Sequence, residues 1–473
     1  MSGSWAKPRR FDRNLIVIGG GAAGLVSSYI AAMAKARVTL VEAGRMGGDC
    51  LNTGCIPSKT LLKSAKVAHQ MLDAARFGVK ATQPEIDFPA VMRRVRAAIA
   101  AIEPNDSIER YGSLGVECVQ GYARFIDPWT VEIAGNDGST SRLTSRAFVV
   151  ATGAAPMVPQ LPGIETSGYL TSETLWDAMA ERAHVPPKLV ILGGGPIGCE
   201  LAQAFQRLGS QVTLVEMAER LLLKEDEEAG LLIAQGLETE GVRLLTGHKA
   251  LRFDGKRLTV DCDGHETTVD FDDVVIATGR RPRVTGFGLE ELGLVENGRI
   301  MVDPYLRTRM PHIWVAGDVA GNQQLTHGAS HEAWYATVNA LTRPFKRFRA
   351  DYRFLPRVTY TDPEVASVGL GETEAQQQGI AFEVTRYDIG HLDRAIAEDE
   401  ARGFVKIVTP PGSDRILGAT IVAAHAGEMI AEIVLAMRHG LPLGKLMAAI
   451  HSYPTWNEAN KFAAGQYRLA RKP

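Results

Sequence analysis

The sequence predicts an α/β protein in which one strand–turn–helix–strand unit occurs twice and a separate α+β region follows. Three observations predict it. Leu15-Ile-Val-Ile-Gly-Gly-Gly-Ala-Ala-Gly24 is an apolar run entering G-x-G-x-x-G, formed by Gly19, Gly21 and Gly24, with an alanine-rich helical stretch and a second apolar run, Val38-Thr-Leu-Val-Glu42, behind it. Leu189-Val-Ile-Leu-Gly-Gly-Gly-Pro-Ile-Gly198 repeats this with Gly193, Gly195 and Gly198, a helix over Cys199 to Leu208, and Val212-Thr-Leu-Val-Glu216. From about Leu355 the pattern changes: strand-like runs (Arg357 to Tyr360, Gly403 to Val408, Ile416 to Val422) alternate with helical ones (Gly427 to His439, Leu443 to Ile450).

Each part of the repeated unit has a physical reason. The first glycine permits a tight turn, the second lets backbone approach a pyrophosphate, and the third lets helix pack on strand. A pyrophosphate then lies at a helix N-terminus, where free N–H groups and the dipole favour anions. In both copies an acid stands 23 positions after the first glycine. Glu42 and Glu216 are thus placed to accept hydrogen bonds from a ribose. One G-x-G-x-x-G is weak evidence; two, each between strand and helix and each with its acid, predict two Rossmann-like dinucleotide sites.

Further segments fit the same plan. Phe148-Val-Val-Ala-Thr152-Gly153 and Val274-Val-Ile-Ala-Thr-Gly279 are apolar strands with the same ending, one after each unit, and Ile313-Trp-Val-Ala-Gly317-Asp318 is a strand ending in Gly-Asp. Pro89 to Gly115 has few breakers and alternates basic and apolar residues, so it reads as a solvated two-helix excursion.

Composition agrees with a globular enzyme of about three domains: 473 residues, 45% hydrophobic and 22% charged, with 48 glycines for tight turns. The formal net charge of −2 gives no electrostatic reason to expect nucleic acid or an anionic membrane. No apolar run suits a signal peptide or a membrane span, which predicts a cytoplasmic protein without a span. Five cysteines do not make a disulfide framework.

Two of those cysteines lie together, in Gly47-Gly-Asp-Cys50-Leu-Asn-Thr-Gly-Cys55-Ile-Pro-Ser-Lys59. Their spacing is too wide for Cys-x-x-Cys, and no second pair completes a zinc site. Thr53-Gly54 and Pro57 suggest a loop becoming a helix, whose N-terminal dipole raises the thiolate fraction. Lys59, four residues after Cys55, shares its helical face and favours negative charge there. The reading is a chain of two-electron steps, from NADH to flavin, to a Cys50–Cys55 disulfide, and on to an acceptor. Cys118, Cys199 and Cys262 are isolated and read as small packing residues.

These motifs, over about Asn14 to Phe462, resemble the pyridine nucleotide–disulfide oxidoreductases, the group of dihydrolipoamide dehydrogenase, glutathione reductase and mercuric reductase. The resemblance implies two glutathione reductase-type nucleotide domains and a C-terminal dimerisation domain: residues 1–160 for FAD with the dithiol, 161–283 for NAD, 284–352 completing the FAD domain, and 353–473 forming a homodimer interface. It implies FAD at Gly19, Gly21, Gly24, Glu42, Thr152 and Gly153, with Asp318 at the ribityl side after Gly317, and the nicotinamide cofactor at Gly193, Gly195, Gly198, Glu216 and Gly279. Cys50 would be the interchange thiol and Cys55 the thiol beside the flavin. Lys59 and Glu200 would pair beside the ring, and His327 resembles a position near the cofactor. A carboxylate at Glu216 suits the free 2′-hydroxyl of NADH and repels the 2′-phosphate of NADPH, despite Arg220 and Lys224 nearby.

One departure decides what the dithiol can serve. Dithiol-using members generally carry His-Pro near the C-terminus with Glu five residues after the His. Here the segment is His451-Ser-Tyr453-Pro454-Thr-Trp-Asn-Glu458: Tyr453 replaces the base and Glu458 keeps its place. A Tyr near pKa 10 is a poor base at neutral pH, although its phenol can donate to a thiolate or sit over a bound ion. Mercuric reductase resembles the chain here, yet Leu469 to Pro473 lacks the cysteine pair that loads mercury. If the residue before proline is extended, His451 and Tyr453 point the same way, and His451 enters the same pocket as a substitute base. Trp456 reads as core or interface. The acceptor expected is a small disulfide, thiol or metal ion. Retention of both cysteines argues against a one-cysteine oxidase or peroxidase.

Overall fold

The computed structural model describes residues 5–321 and 323–471; Lys472 and Pro473, the last of the C-terminal stretch considered above, lie outside them. Leu15–Ile18, four buried apolar residues, starts a parallel sheet and ends at Gly19, whose φ of +108° turns the chain into the helix Ala22–Met33. The strand Val38–Glu42 returns beside the first in parallel, as a right-handed strand–helix–strand crossover does. Phe148–Val150 and Ile313–Val315 extend the sheet on the other side, so its far edge comes from a segment late in the chain.

The second unit copies the first. Lys188–Leu192 and Gln211–Val215 pair in parallel across the helix Pro196–Arg207, flanked by Asp273–Ile276 and Arg243–Leu245. Strands ending at the two Ala-Thr-Gly sequences occupy the same place in both sheets. Just beyond them, Ala154–Pro156 and Arg280–Pro282 pair antiparallel and tie the units together. Each sheet is followed by antiparallel strands that period-two reading had not marked: Val116–Asp127, Thr130–Gly135 and Thr140–Thr144 on the first, Lys249–Asp254, Arg257–Cys262 and His265–Asp270 beside the second.

The C-terminal unit is a five-stranded antiparallel sheet ordered Arg357–Thr359, Glu364–Gly369, Gly418–Ala423, Phe404–Thr409, Glu383–Asp388. Helices Ala426–Arg438 and Glu458–Leu469 pack on it through Ile430, Ile433, Ala459 and Ala463.

Two expectations need correction. The excursion is not solvated: Phe88–Ile102 is amphipathic, burying Phe88, Met92, Val95 and Ile99 in the core that also holds Leu61 and Ala65 of Cys55–Asp73. Its basic residues merely form the outer stripe of a 3.6-residue pattern. Cys262 is not a packing residue either, because it lies partly exposed at the end of an outer strand, whereas Cys199 is fully buried. Among the described residues no helix is long and apolar enough to cross a membrane.

Candidate active site

The dithiol lies against the first glycine turn. Gly47 N–H donates to Gly20 O at 2.9 Å, and a Cβ on Gly48 would stand 2.6 Å from Gly21 Cα. A short helix, Gly48–Asn52, carries Cys50; Cys55 then opens the long helix Cys55–Asp73. Trp176 fixes the link between them, its indole N–H donating to Thr53 O at 2.7 Å. Both cysteines are half-buried.

The two thiols are pushed in opposite directions. Cys50 is pushed up, first by its hydrogen bond to Cys55 and then by burial. Cys55 is drawn down to about 6, first by that same bond from Cys50, then by Thr326 and Lys59, with burial opposing. The Cys55 Sγ lies 3.3 Å from Thr326 Oγ1, the first residue of the helix Thr326–Thr342, so two helix N-termini meet at this sulfur. Both dipoles favour negative charge there.

Lys59 and Glu200 form the expected pair, with Nζ to Oε2 at 2.8 Å and the Glu200 side chain 5% exposed. A buried carboxylate needs its remaining lone pairs filled. Tyr360 N–H donates to Glu200 Oε1 at 2.9 Å, and the Tyr360 ring lies 4.6 Å from the Lys59 ammonium. Gln203 and Arg207 continue the same face of that helix toward Asp362: Asp362 N–H donates to Gln203 Oε1 at 2.8 Å, and Arg207 pairs with the carboxylate at 3.0 Å. The segment leading into the C-terminal sheet is thus sewn to the second nucleotide unit where that unit holds Lys59.

A second charge cluster joins three segments. Arg280, directly after Gly279, pairs with Asp49 of the dithiol helix, and its Nε lies 3.5 Å from Asp318 Oδ2. Burial pushes Asp318 up to about 6, with Arg280 opposing and the charges of Asp49 and Cys55 adding to the rise.

The glycine turns fit dinucleotides by a test of their own. A Cβ on Gly19 or Gly193 would strike the carbonyl of Ala151 or Ala277 at 2.2 and 2.4 Å; on Gly24 or Gly198 it would strike Gly19 O or Gly193 O at 1.7 and 1.8 Å. A Cβ on Gly21 would meet nothing nearer than 3.7 Å, and on Gly195 nothing within 4 Å. The outer glycines serve chain packing and the middle one faces open space, as backbone approach by a pyrophosphate requires. Glu42 and Glu216 orient by accepting the N–H groups of Gly20 and Gly194, and of Gly44 and Ala218. Thr152 donates from Oγ1 to Arg283 O at 2.7 Å, fixing the turn before Gly153.

The C-terminal candidates do not join this cluster within the chain. Tyr453 is 71% exposed and donates to Asp393 Oδ2 at 2.8 Å, a bond that raises its pKa above the ordinary phenol value. His451 does not share its pocket, which corrects the expectation above. Its side chain is 8% exposed and faces inward, with Nε2 2.8 Å from Glu432 Oε1 and Nδ1 3.2 Å from Ala449 O. The strand alternation invoked for the pair fails because this stretch belongs to no strand. Glu458 is buried and accepts Thr455 N–H at 3.0 Å. Trp456 is buried and donates to Glu398 at 3.0 Å. His327 is exposed, its Nε2 2.7 Å from Pro356 O; its neighbour Thr326 is what touches Cys55.

Sequence reasoning therefore missed Thr326, Asp49, Arg280, Tyr360 and Trp176. For Arg280 a signal existed, a cation directly after the second Ala-Thr-Gly; for the others partners distant in sequence supply the role.

Comparisons with known proteins agree with this geometry. The family profile described as pyridine nucleotide-disulphide oxidoreductase matches residues 13–333, and its dimerisation domain matches 355–464. A mercuric reductase of Streptomyces lividans is 37% identical over 95% of this chain and 95% of its own. A dihydrolipoamide dehydrogenase of Chaetomium thermophilum is 35% identical over 96% of this chain and 90% of its own. Among solved structures, LpdA of Mycobacterium tuberculosis superposes with a TM-score of 0.87 at 27% identity, covering 96% of this chain and 99% of its own. A Cu(II) complex of the HOCl-induced flavoprotein disulfide reductase RclA of Escherichia coli gives 0.83 at 27%, covering 96% and 99%.

Proposed function

Because the chain belongs to the pyridine nucleotide-disulphide oxidoreductases, FAD- and NAD(P)H-dependent enzymes, we propose that it reduces a small disulfide or thiophilic metal ion at Cys50, using electron pairs from NADH. The observation that carries this reading is the placement of Cys50 and Cys55 against the first glycine turn, with Thr326 at the Cys55 sulfur and the buried Lys59–Glu200 pair in the same site. Bound FAD supplies the two-electron relay between nicotinamide and sulfur.

The chain's own residues divide the remaining work. Gly19, Gly21, Gly24, Glu42, Thr152, Gly153, Gly317 and Asp318 hold FAD; Gly193, Gly195, Gly198, Glu216 and Gly279 hold the nicotinamide cofactor. Cys55 keeps negative charge, with Thr326 and Lys59 stabilising it, while Cys50 keeps the proton. Toward a disulfide acceptor, Cys50 loses that proton and attacks one sulfur, and the other leaves as a thiol. Cys55 then attacks Cys50, the internal disulfide re-forms, and the second thiol departs. The dithiol supplies two electrons and the Cys50 proton, and the second thiolate takes its proton from water. Toward a metal ion, the dithiol supplies two soft ligands and two electrons, needing less help from a base.

NADH is the favoured donor. Both Glu216 oxygens are engaged by backbone N–H groups, fixing a carboxylate where a 2′-phosphate would have to lie. Arg220 is spent on the carbonyls of Leu221, Leu222, Leu223 and Glu225, so it is not free to pair with that phosphate. The exposed Tyr453, near the fully exposed Ile450, suits a homodimer in which this surface meets the other subunit's dithiol. There its phenol exchanges Asp393 for the bound acceptor as the partner of its one O–H. The match of residues 355–464 to the dimerisation domain supports that assembly. The proposed division of the chain is 1–160, 161–283, 284–352 and 353–473.

Anaerobic titration with NADH tests the proposal. One equivalent should produce a long-wavelength thiolate–flavin band in wild type and none in Cys55→Ser. Hg(II), Cu(II), glutathione disulfide and lipoamide are then offered to the reduced enzyme. A protein purified without flavin, or a band surviving in Cys55→Ser, would sink the assignment. The retained Glu458 supports a second reading, a dihydrolipoamide dehydrogenase variant. High turnover of dihydrolipoamide with NAD would favour it and overturn the role given to Tyr453.

A further inference from the structure

The near-neutral whole-chain charge conceals a strongly basic, aromatic pole. The segment that leaves the helix Thr326–Thr342 reads Arg343-Pro-Phe345-Lys346-Arg347-Phe348-Arg349. Arg343, Phe345, Lys346, Arg347 and Arg349 are all exposed, Phe345 at 90%.

The N-terminal stretch Trp5-Ala-Lys7-Pro-Arg9-Arg10 comes to the same place. Lys7 lies over the Trp129 ring at 5.3 Å, Trp129 stacks on His312 at 3.5 Å, and Arg343 donates to the carbonyl of Pro311 next to His312. No ion pair joins Lys7, Arg9, Arg10, Arg343, Lys346, Arg347 or Arg349 to a carboxylate among the described residues. Asp351, the acid of this region, is already taken by Arg353 and Arg438. Trp5 is 53% exposed and Trp334, 5.2 Å from the Phe348 ring, is 41% exposed.

We infer that this pole is a docking surface for an anionic lipid bilayer. Clustered cations gain from anionic headgroups, and flanking aromatic side chains enter the headgroup–acyl boundary. A duplex nucleic acid or a simple polyanion would meet the cations and leave Phe345 and Trp5 in water; a bilayer surface uses both.

The geometry also says what the docking does. His312 immediately precedes the strand Ile313–Val315, and Phe11, 5.5 Å from the Trp129 ring, lies four residues before the parallel strand Leu15–Ile18, so the pole lies at the N-terminal edge of the first sheet. Gly19 and Asp318 follow the same strands at the opposite edge. The enzyme would therefore sit on the membrane with its dithiol end directed away, tethered without occlusion of the site. The inference stands apart from the identity of the electron acceptor.

Co-sedimentation of the flavin-loaded enzyme with vesicles tests it, comparing phosphatidylcholine mixed with phosphatidylglycerol against phosphatidylcholine alone. Wild type should pellet with the anionic vesicles and be released by rising salt. The triple variant Lys346→Glu/Arg347→Glu/Arg349→Glu should lose at least about a hundredfold in partition coefficient. Phe345→Ser should lose about tenfold. Both variants should keep the wild-type flavin spectrum, melting temperature and NADH-dependent turnover, since none of these residues touches the site. Equal pelleting with the two vesicle types, or with wild type and triple variant, would overturn the inference. So would an unchanged partition for Phe345→Ser together with equally tight binding to heparin, which would make the pole a general polyanion surface.

Discussion

The Lys59–Glu200 pair makes a quantitative prediction about the thiol it serves. In Lys59→Met the ammonium is lost while Glu200, 5% exposed, stays. Cys55 sits at about 6, held down first by Cys50, then by Thr326 and Lys59, while Glu200 pushes the other way. An opposite charge within a few ångströms is worth about 1–3 pKa units, and removing it here also leaves Glu200 uncompensated. Lys59 is 36% exposed, which keeps the shift to the lower part of that range; Cys55 should then titrate at about 7–8, so the thiolate fraction at neutral pH falls from about nine-tenths to between about a half and a tenth. The assay is the pH dependence of the long-wavelength band in the two-electron-reduced enzyme. That band disappears on acidification, and its midpoint should move upward by one to two units, roughly. Lys59→Arg, which keeps the charge, should leave it near the wild-type value. Stability should also fall by about 3 kcal/mol, the lower end for an orphaned buried charge because Tyr360 N–H still serves Glu200. Lys59→Met/Glu200→Gln should recover most of that loss and bring the midpoint partway back. A well-folded Lys59→Met enzyme whose band titrates where the wild type's does would refute the argument.

Three further outcomes are expected. Cys50→Ser should keep flavin reduction by NADH and lose acceptor turnover at least about a thousandfold, because its hydroxyl can neither attack nor close the disulfide. Tyr453→His should raise lipoamide turnover between pH 6 and 8, roughly, since a base titrating near neutrality replaces a phenol held above its ordinary range by Asp393. A steady-state comparison of lipoamide with Hg(II) reads the switch. Glu364 is pushed up to about 7, chiefly by burial. Its raised value adds stability that is full below the ordinary glutamate range and is lost as pH rises through 7. Glu364→Gln should therefore gain about 2 kcal/mol on wild type at alkaline pH and little in acid, measured as melting temperature against pH.

The two nucleotide units were legible because their signals are local. Gly19, Gly21 and Gly24 lie within six residues, and apolar strands such as Leu15–Ile18 are buried on both faces, so they read as continuous runs. The antiparallel strands after each unit were not, because one face is wet and the alternation is diluted by charge: Thr140–Thr144 and His265–Asp270 are mostly exposed. The excursion Phe88–Ile102 was found as helix and mistaken in burial, since three arginines at its centre alternate with the apolar residues that touch the core. Composition alone cannot say which stripe faces inward.

For the site, the same distinction has a mechanistic consequence. Cys50, Cys55 and Lys59 are near in sequence and were read together, but two further groups that act on Cys55 arrive from other segments: Thr326 from a helix N-terminus and Glu200 from the second nucleotide unit. Tyr360 and Asp362 then fasten that second unit to the C-terminal sheet. A movement of the nicotinamide unit would shift Glu200, and with it Lys59, before anything reached the sulfurs. The thiolate at Cys55 is in this sense a readout of how the units are docked. His451 failed as a substitute base for a related reason: its ring is committed to Glu432 inside the C-terminal unit, and a base that is tied into packing cannot also visit a thiol. What Tyr453 can offer is an exposed hydrogen-bond donor, which suits an acceptor that binds sulfur without prior loss of a proton to a side-chain base.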